Sequence, residues 1–315
     1  MEIVILDGHA LNPGDLSWDC FSQFGTVRYF ERTEGENETI ERIGNADIIL
    51  LNKVNITAKI LDSCPSIKLI CILATGYNVV DCDAAAKRGI PVCNVPGYGT
   101  DSVAQFTFAL LLELCHRVSL HSASVHSGEW SSCPDFCYWK TPQMELAGKT
   151  MGIIGYGAIG QAAGKIAKAF GMNVLAYNRT WRSGSEYVSL DELLEKSDVI
   201  SLHCPLFQEN KGMINAETIS KMKDGVILLN TARGGLLDEQ AVADGLRTGK
   251  IRAAAVDVVS CEPISKGNPL LTAPNCIITP HIAWAPLEAR QRILDITIKS
   301  IQGFIAGVKM NVVNM

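Results

Sequence analysis

Short apolar runs separated by polar, helix-length stretches recur along the whole chain. In the first hundred residues, segments 3–6, 26–30, 47–51, 68–72 and 90–93 are β-branched or aromatic and of strand length. Polar stretches such as 31–45 lie between them, the alternation a parallel α/β sheet requires. A second series with cleaner punctuation starts at Lys149. Its predicted strands are 150–154, 173–177, 198–202, 226–230, 253–258 and 276–279, and its predicted helices include 158–170, 190–196, 216–222 and 239–248. Six strands with helical crossovers make a doubly wound sheet. Between the two series, residues 101–118 read as a long helix with Asp101 as its N-cap. That helix is apolar on nearly every side, as an interdomain core or a subunit interface would be. Residues 121–149, with Trp130, Pro134, Trp139 and Pro142, read as an irregular excursion, a length of loop that is usually functional or an interface arm. A last helix is predicted over 287–310, apolar at Ile293, Ile296, Ile301 and Phe304.

Length agrees with this division: 315 residues at roughly 150 per domain predict about two domains. Hydrophobic residues make up 47% and charged residues 19%, which excludes a disordered chain. The net charge of −5 gives no electrostatic footprint for nucleic acid or an anionic membrane. The longest apolar run, 103–112, is interrupted by Gln105 and Thr107, so no transmembrane segment is expected. The first residues lack the features of a signal peptide, and the last are neither a peroxisomal address nor a lipidation box. A soluble, cytoplasmic protein is the expectation. Eleven cysteines are odd in number, scattered and set in apolar runs, which reads as reduced core thiols. Cys133 and Cys137 flank Pro-Asp-Phe, a spacing that suits neither a redox pair nor a zinc knuckle, and no metal is expected.

The chemistry begins at Gly155-Tyr156-Gly157-Ala158-Ile159-Gly160, directly after a predicted strand and opening a predicted helix. Gly155 would make the tight turn, Gly157 would let the backbone approach a pyrophosphate, and Gly160 would let helix and strand pack closely. The free N–H groups at the start of the helix, from Ala158 and Ile159 onward, would hold the anion. Eighteen positions after Gly160 stands Asn178, followed by Arg179 and Thr180. An acidic residue there would bond the adenosine ribose and repel a 2′-phosphate. Asn178 removes the repulsion and Arg179 with Thr180 suits a phosphate, so NADP is favoured and NAD stays open; the ordinary alternative for Arg179 is a solvated charge stacked on adenine.

Three further strand ends carry reactive side chains. Thr231-Ala232-Arg233 follows strand 226–230, Asp257 through Glu262-Pro263 ends another strand, and Pro280-His281-Ile282-Ala283-Trp284 ends the last. Ligands of open α/β sheets bind outside the carboxyl ends of the strands, so Arg233, Glu262 and His281 should converge on one crevice. Singly, each has an ordinary role: a structural histidine, a turn glutamate, an ion-paired arginine. Downstream of a dinucleotide fingerprint, the combination points to catalysis.

With these stretches, and with Ser201-Leu202-His203-Cys204-Pro205-Leu206, the sequence resembles the D-isomer-specific 2-hydroxyacid dehydrogenase family over essentially its whole length. Residues 103–109 and 281–284 are most similar to its hydroxypyruvate reductase, or glycerate dehydrogenase, branch. The resemblance implies an α/β chain of two doubly wound parallel-sheet domains with the cleft between them. A flavodoxin-like substrate domain would comprise 1–100 and 287–315, and a Rossmann domain 101–286. It implies hydride transfer between NAD(P)H and the C2 carbonyl of a small 2-oxo acid, with hydroxypyruvate, glyoxylate or both as substrate. His281 would be the acid–base, Glu262 its orienting partner, and Arg233 the group that binds the carboxylate and the developing oxyanion. His203, Cys204, Pro205, Thr231, Ala232 and Asp257 join the cofactor set, with Asp257 accepting from the nicotinamide carboxamide. Lys53, Thr75, Gly76 and Trp284 join the substrate set. A homodimer through 101–149 is implied as well, with an arm aromatic such as Trp139 reaching the partner's site. Two alternatives stay open: 3-phosphoglycerate dehydrogenase, and a corepressor-like protein that binds NAD(P)H as a signal.

Overall fold

Strands that are apolar at every position must be covered on both faces, and helices do so throughout this protein. The computed structural model describes residues 1–180, 184 and 186–315, and these divide into two compact units, 1–98 with 285–315 and 99–284. The first unit opens with β1 (Glu2–Ile5), β2 (Thr26–Tyr29), α1 (Glu36–Ile43), β3 (Ile48–Leu51), α2 (Ala58–Ser63), β4 (Leu69–Ile72), α3 (Cys82–Lys87) and β5 (Val92–Cys93). Its strands run parallel in the order β2-β1-β3-β4-β5, the flavodoxin-like arrangement. Alternate residues Val4, Ile49, Leu51, Ile70 and Ile72 bury one face against Ile43, Ile60, Ala84 and Ala85 of the three helices.

The second unit begins with α4 (Thr100–His116) and α5 (Val118–His126). It continues through β6 (Thr150–Ile154), α6 (Ala158–Ala169), β7 (Asn173–Tyr177), α7 (Leu190–Lys196), β8 (Val199–Leu202), α8 (Ala216–Lys221), β9 (Val226–Asn230), α9 (Glu239–Thr248), β10 (Ile251–Val256) and β11 (Cys276–Ile278). Among the described residues its sheet is parallel and ordered β11-β10-β9-β8-β6-β7. Tyr187 makes one parallel bridge to Ala176, where the usual dinucleotide-binding order has a further strand beyond β7. Met151, Ile153, Leu229 and Ala255 face α4 and α6, while Ile154, Ile200, Leu228 and Val256 face α7, α8 and α9. The chain then returns to the first unit with α10 (Leu287–Ile305), and Asn314 Oδ1 accepts the Val92 N–H at the edge strand, 2.8 Å away. No single described helix is long and apolar enough to cross a membrane.

Several sequence expectations are corrected here. Helix α4 starts at Thr100 with Gly99 at its cap, so Asp101 lies in the first turn, where its charge favours the helix dipole rather than capping. The segment expected to be irregular begins as helix α5, set off from α4 by Arg117 in the left-handed region at φ 48°. The last helix stops at Ile305 because Gly307, at φ 70°, turns the chain out of helical geometry. Strand β10 runs over Ile251–Val256 rather than 253–258, because its pairing with β9 begins at Ile251 opposite Val226 and ends at Val256 opposite Asn230.

Gly152 sits mid-strand in β6 because α7 crosses directly over it: a methyl group there would meet Ser197 Oγ and stand 2.5 Å from Leu193 Cδ2. Gly152→Ala is therefore expected to destabilise the protein by about 1–3 kcal/mol, read as a lower urea midpoint. An unchanged midpoint would contradict this packing.

Candidate active site

Strand β6 ends in a turn that only glycine fits comfortably. Gly155 has φ 96°, and a Cβ on it would stand 2.5 Å from the Cys204 nitrogen at the end of β8. A Cβ on Gly160 would run into the Gly155 carbonyl, so α6 packs closely on the turn. Gly157 is different: nothing lies within 4 Å of where its Cβ would be, and it caps α6 without a side-chain bond. Gln161 is the first residue of this turn to bond backwards, to the Gly157 carbonyl at 2.8 Å. The N–H groups of Ala158, Ile159 and Gly160 have no partner among the described residues, an arrangement suited to an anion. The chain winds from β6 outward to β7 on one side and to β8 on the other, which makes this turn the switch point of the sheet.

The surrounding side chains complete a cradle for a dinucleotide. His203 Nε2 is 2.8 Å from Ser201 Oγ, while its buried Nδ1 has no partner among the described residues. Burial pushes its pKa down to about 4, so the ring is neutral near pH 7. Asn210 Nδ2 donates to the Pro205 carbonyl at 2.8 Å and fixes the turn after Cys204. Asn178 Oδ1 accepts the Tyr156 N–H at 2.7 Å, so this residue braces the glycine turn. The Arg179 guanidinium lies 4.6 Å from the Phe207 ring centroid, and Thr180 is exposed beside it. Phe207 was not among the residues singled out from sequence, since an aromatic after Pro205-Leu206 reads as ordinary loop. Open space at Gly157, free helix N–H groups and an orphaned imidazole nitrogen fit a bound dinucleotide.

The three reactive side chains lie at the ends of β9, β10 and β11, which are neighbours in the sheet. Buried Asn230 shapes the first turn: its Oδ1 accepts from Ala232 N–H at 3.0 Å and its Nδ2 donates to the Arg233 carbonyl at 2.9 Å. Thr231 Oγ1 is 3.1 Å from Thr107 Oγ1 of α4. The exposed Arg233 guanidinium donates to the Ala232 carbonyl at 2.6 Å. Gly234 presses on the Val259 backbone with no room for a Cβ, which joins the Arg233 turn to the chain leading to Glu262. Glu262 Oε1 accepts the Val259 N–H at 3.2 Å, and Oε2 lies 2.7 Å from His281 Nδ1. A carboxylate only accepts, so Nδ1 carries a proton toward Glu262 and Nε2 is left for exchange with a ligand. Both side chains are partly open, at 39% and 34% exposure, so a ligand has access.

His281 is in the left-handed region at φ 55°, a conformation costly for a histidine. Asp257 holds it there. Its carboxylate, 1% exposed, accepts from Thr279 Oγ1 at 2.6 Å, Ile282 N–H at 2.9 Å and Ala283 N–H at 2.8 Å. The sequence reading assigns Asp257 to the nicotinamide carboxamide; in the structure its carboxylate accepts from the histidine loop instead, a positioning that the sequence does not show. Trp284, half-buried, follows the loop. Lys53, Thr75 and Gly76 belong to the first unit. The N–H groups of Asn52, Lys53 and Val54 donate to half-buried Asp7, whose pKa desolvation raises in spite of them. Thr75 Oγ1 donates to the Val95 carbonyl at 2.8 Å, and the N–H groups of Thr75 and Gly76 have no partner among the described residues. Among the described residues no group of three or more His, Cys, Asp or Glu side chains is placed to hold a metal ion.

Known proteins match this arrangement. Residues 108–283 match the NAD-binding domain of the D-isomer specific 2-hydroxyacid dehydrogenases. A hydroxypyruvate reductase of Blautia hydrogenotrophica is 54% identical, with all of both chains covered. A glycerate dehydrogenase of Methylorubrum extorquens is 43% identical, over 99% of this chain and 98% of its own. Among solved structures, an acyclic imino acid reductase in complex with NADPH and D-Arg superposes with a TM-score of 0.87 at 30% identity, covering 99% of this chain and 100% of that one.

The buried imidazole of His203 makes stability depend on pH. Its pKa in the folded chain lies below the ordinary 6.5, so the unfolded chain takes up the proton first as pH falls. Its contribution is complete above pH 6.5 and is lost as pH drops from 6.5 toward about 4. Urea midpoints across that window should decline less steeply for His203→Gln than for the natural protein; equal slopes would show that the ring is not desolvated.

Proposed function

The chain belongs to the D-isomer-specific 2-hydroxyacid dehydrogenase family, a family of 2-oxo acid reductases, and from that premise we propose that it reduces hydroxypyruvate to D-glycerate, and glyoxylate to glycolate, with NAD(P)H. The observation that carries the reading is the 2.7 Å pair of His281 Nδ1 and Glu262 Oε2, on the strand end beside the Arg233 turn. When bound, the reduced nicotinamide supplies the hydride accepted by C2 of the oxo acid. As negative charge develops on the former carbonyl oxygen, His281 donates its Nε2 proton to it; in the oxidation the same nitrogen is the base. Glu262 holds the ring's tautomer and its direction. Arg233 turns its planar fork from the Ala232 carbonyl to the substrate carboxylate, with one N–H reaching the developing oxyanion. Trp284 is assigned to the pocket wall, and on the first unit Lys53 and the N–H groups of Thr75 and Gly76 are the candidate substrate ligands.

For the cofactor, the proposal favours NADP. Asn178 carries no charge to repel a 2′-phosphate, and the exposed Arg179 stands with its guanidinium over the Phe207 ring. The NADPH in the superposed imino acid reductase supports the same reading. Eleven free cysteines suit a reducing compartment, which supports a cytoplasmic location. A homodimer through 101–149 is supported by the arm after α5, where Phe136 and Trp139 are 89% and 69% exposed.

Steady-state kinetics with both cofactors against hydroxypyruvate, glyoxylate, pyruvate and 3-phosphohydroxypyruvate test the reading. Hydroxypyruvate should give the highest kcat/KM. Turnover below ~0.01 s⁻¹ on every substrate, well under the usual enzyme range, would instead favour a cofactor-sensing binding protein. NADH preferred by more than ~100-fold, about 2.7 kcal/mol, would exclude the assignment of Arg179. Arg233→Ala should cost about 3 kcal/mol or more in transition-state binding, and His281→Ala roughly 10² to 10⁴ in kcat. A folded His281→Ala protein with near-native turnover would end the acid–base assignment. Sedimentation should give twice the mass of one chain, falling to one for a Phe136→Ser, Trp139→Ser double variant; a monomeric natural protein refutes the dimer.

A further inference from the structure

We infer that Glu239, at the start of α9, is a positioning residue for Glu262 and through it governs the protonation of His281. The cap of α9 does not need Glu239, because Asp238 already accepts the Gln240 and Ala241 N–H groups at 3.1 Å each. The Glu239 carboxylate is directed instead at the connection between β10 and β11. Oε1 accepts the Ser260 N–H at 2.7 Å, and Oε2 accepts from Ser260 Oγ at 2.7 Å and Asn268 Nδ2 at 3.0 Å. One half-buried carboxylate thus ties both ends of segment 260–268, and Glu262 lies between the ties.

Among the described residues the segment is otherwise held mainly at its ends, at the near one by the packing of Val259 and Ser260 on Gly234. Residues 260–263 and 265–267 are exposed, and the segment is neither helix nor strand. At its far end Asn268 is buried and caps the turn Pro269–Thr272 through the Leu270 N–H at 3.0 Å. At its near end Ser260 adjoins Val259, whose N–H donates to Glu262 Oε1. Hydrogen bonds to an ionised carboxylate are about twice as strong as neutral ones, so three of them on a solvent-exposed segment fix it well. A shift of about 1 Å would lengthen the Glu262–His281 bond beyond hydrogen-bond range, and misplacements of that size cost up to about 10² in rate elsewhere. Fixing Glu262 to that tolerance is the task this geometry assigns to Glu239.

The inference rests on the roles proposed above for Glu262 and His281, so its readout is taken without turnover. The His281 imidazole is titrated by NMR in the cofactor-free protein, its signal identified by its loss in His281→Asn. Glu239→Gln keeps the size of the side chain but turns an N–H group toward the donors of segment 260–268. It should lower the His281 midpoint by roughly one pH unit, the lower end of what a neighbouring carboxylate contributes. In a Glu262→Gln background it should lower the midpoint no further, because its effect passes through Glu262. Should Glu239→Gln fail to fold, Ser260→Ala, which removes one tie, should give a smaller drop in the same direction. An unchanged midpoint in a folded variant overturns the inference, and so does a drop that persists without Glu262, since that would be a direct charge effect. Failure of the natural protein to turn over hydroxypyruvate, with these midpoints behaving as expected, would refute the proposed reaction and leave the positioning intact.

Discussion

A buried carboxylate is tolerated only when its lone pairs are filled, and Asp257 meets that condition with three donors from a single loop. The relation holds in both directions. The donors make the burial of Asp257 affordable in free energy, and Asp257 in turn holds His281 in a left-handed conformation that the residue would not adopt alone. The placement of the imidazole within reach of Glu262 depends on that clamp at the end of β10.

The same unit places two histidines in opposite surroundings. His203 is set against the glycine turn, where desolvation keeps it neutral and leaves one ring nitrogen for a ligand. His281 is partly open to solvent and paired with a carboxylate, where a proton can be held and released. Under the proposed function one residue type would serve nucleotide binding in one place and proton transfer in the other, with only the local dielectric and partner differing. The Arg179–Phe207 contact shows the same economy, with an aromatic face orienting a cation.

Much of this was readable along the chain. Strands β6, β7 and β9 and helices α7 and α9 have the bounds their apolar patterns predict, because each is punctuated by a glycine, a capping side chain or a polar turn. Of the three glycines of the turn, one is at positive φ, one has open space where a Cβ would be, and one lies on the face of α6 packed against the turn. Less readable were α5, whose mixed apolar and serine composition hides its period, and the true start of α4, where an acid in the first turn imitates a cap. Glu239 and Phe207 gave no sign, since a glutamate opening a helix and an aromatic in a loop have common local explanations.

The sequence by itself determined where β6, β7 and β9 begin and end and which side chains stand beyond the carboxyl ends of the strands, because these depend on neighbours a few residues apart. Tertiary structure alone decided what those side chains touch. Asp257 bonding residues 22 to 26 positions away, Glu239 reaching 21 to 29 positions on, and Thr107 meeting Thr231 across 124 positions are contacts made by the order of the strands. No local pattern encodes that order, since a parallel sheet brings together the ends of segments that the chain holds far apart.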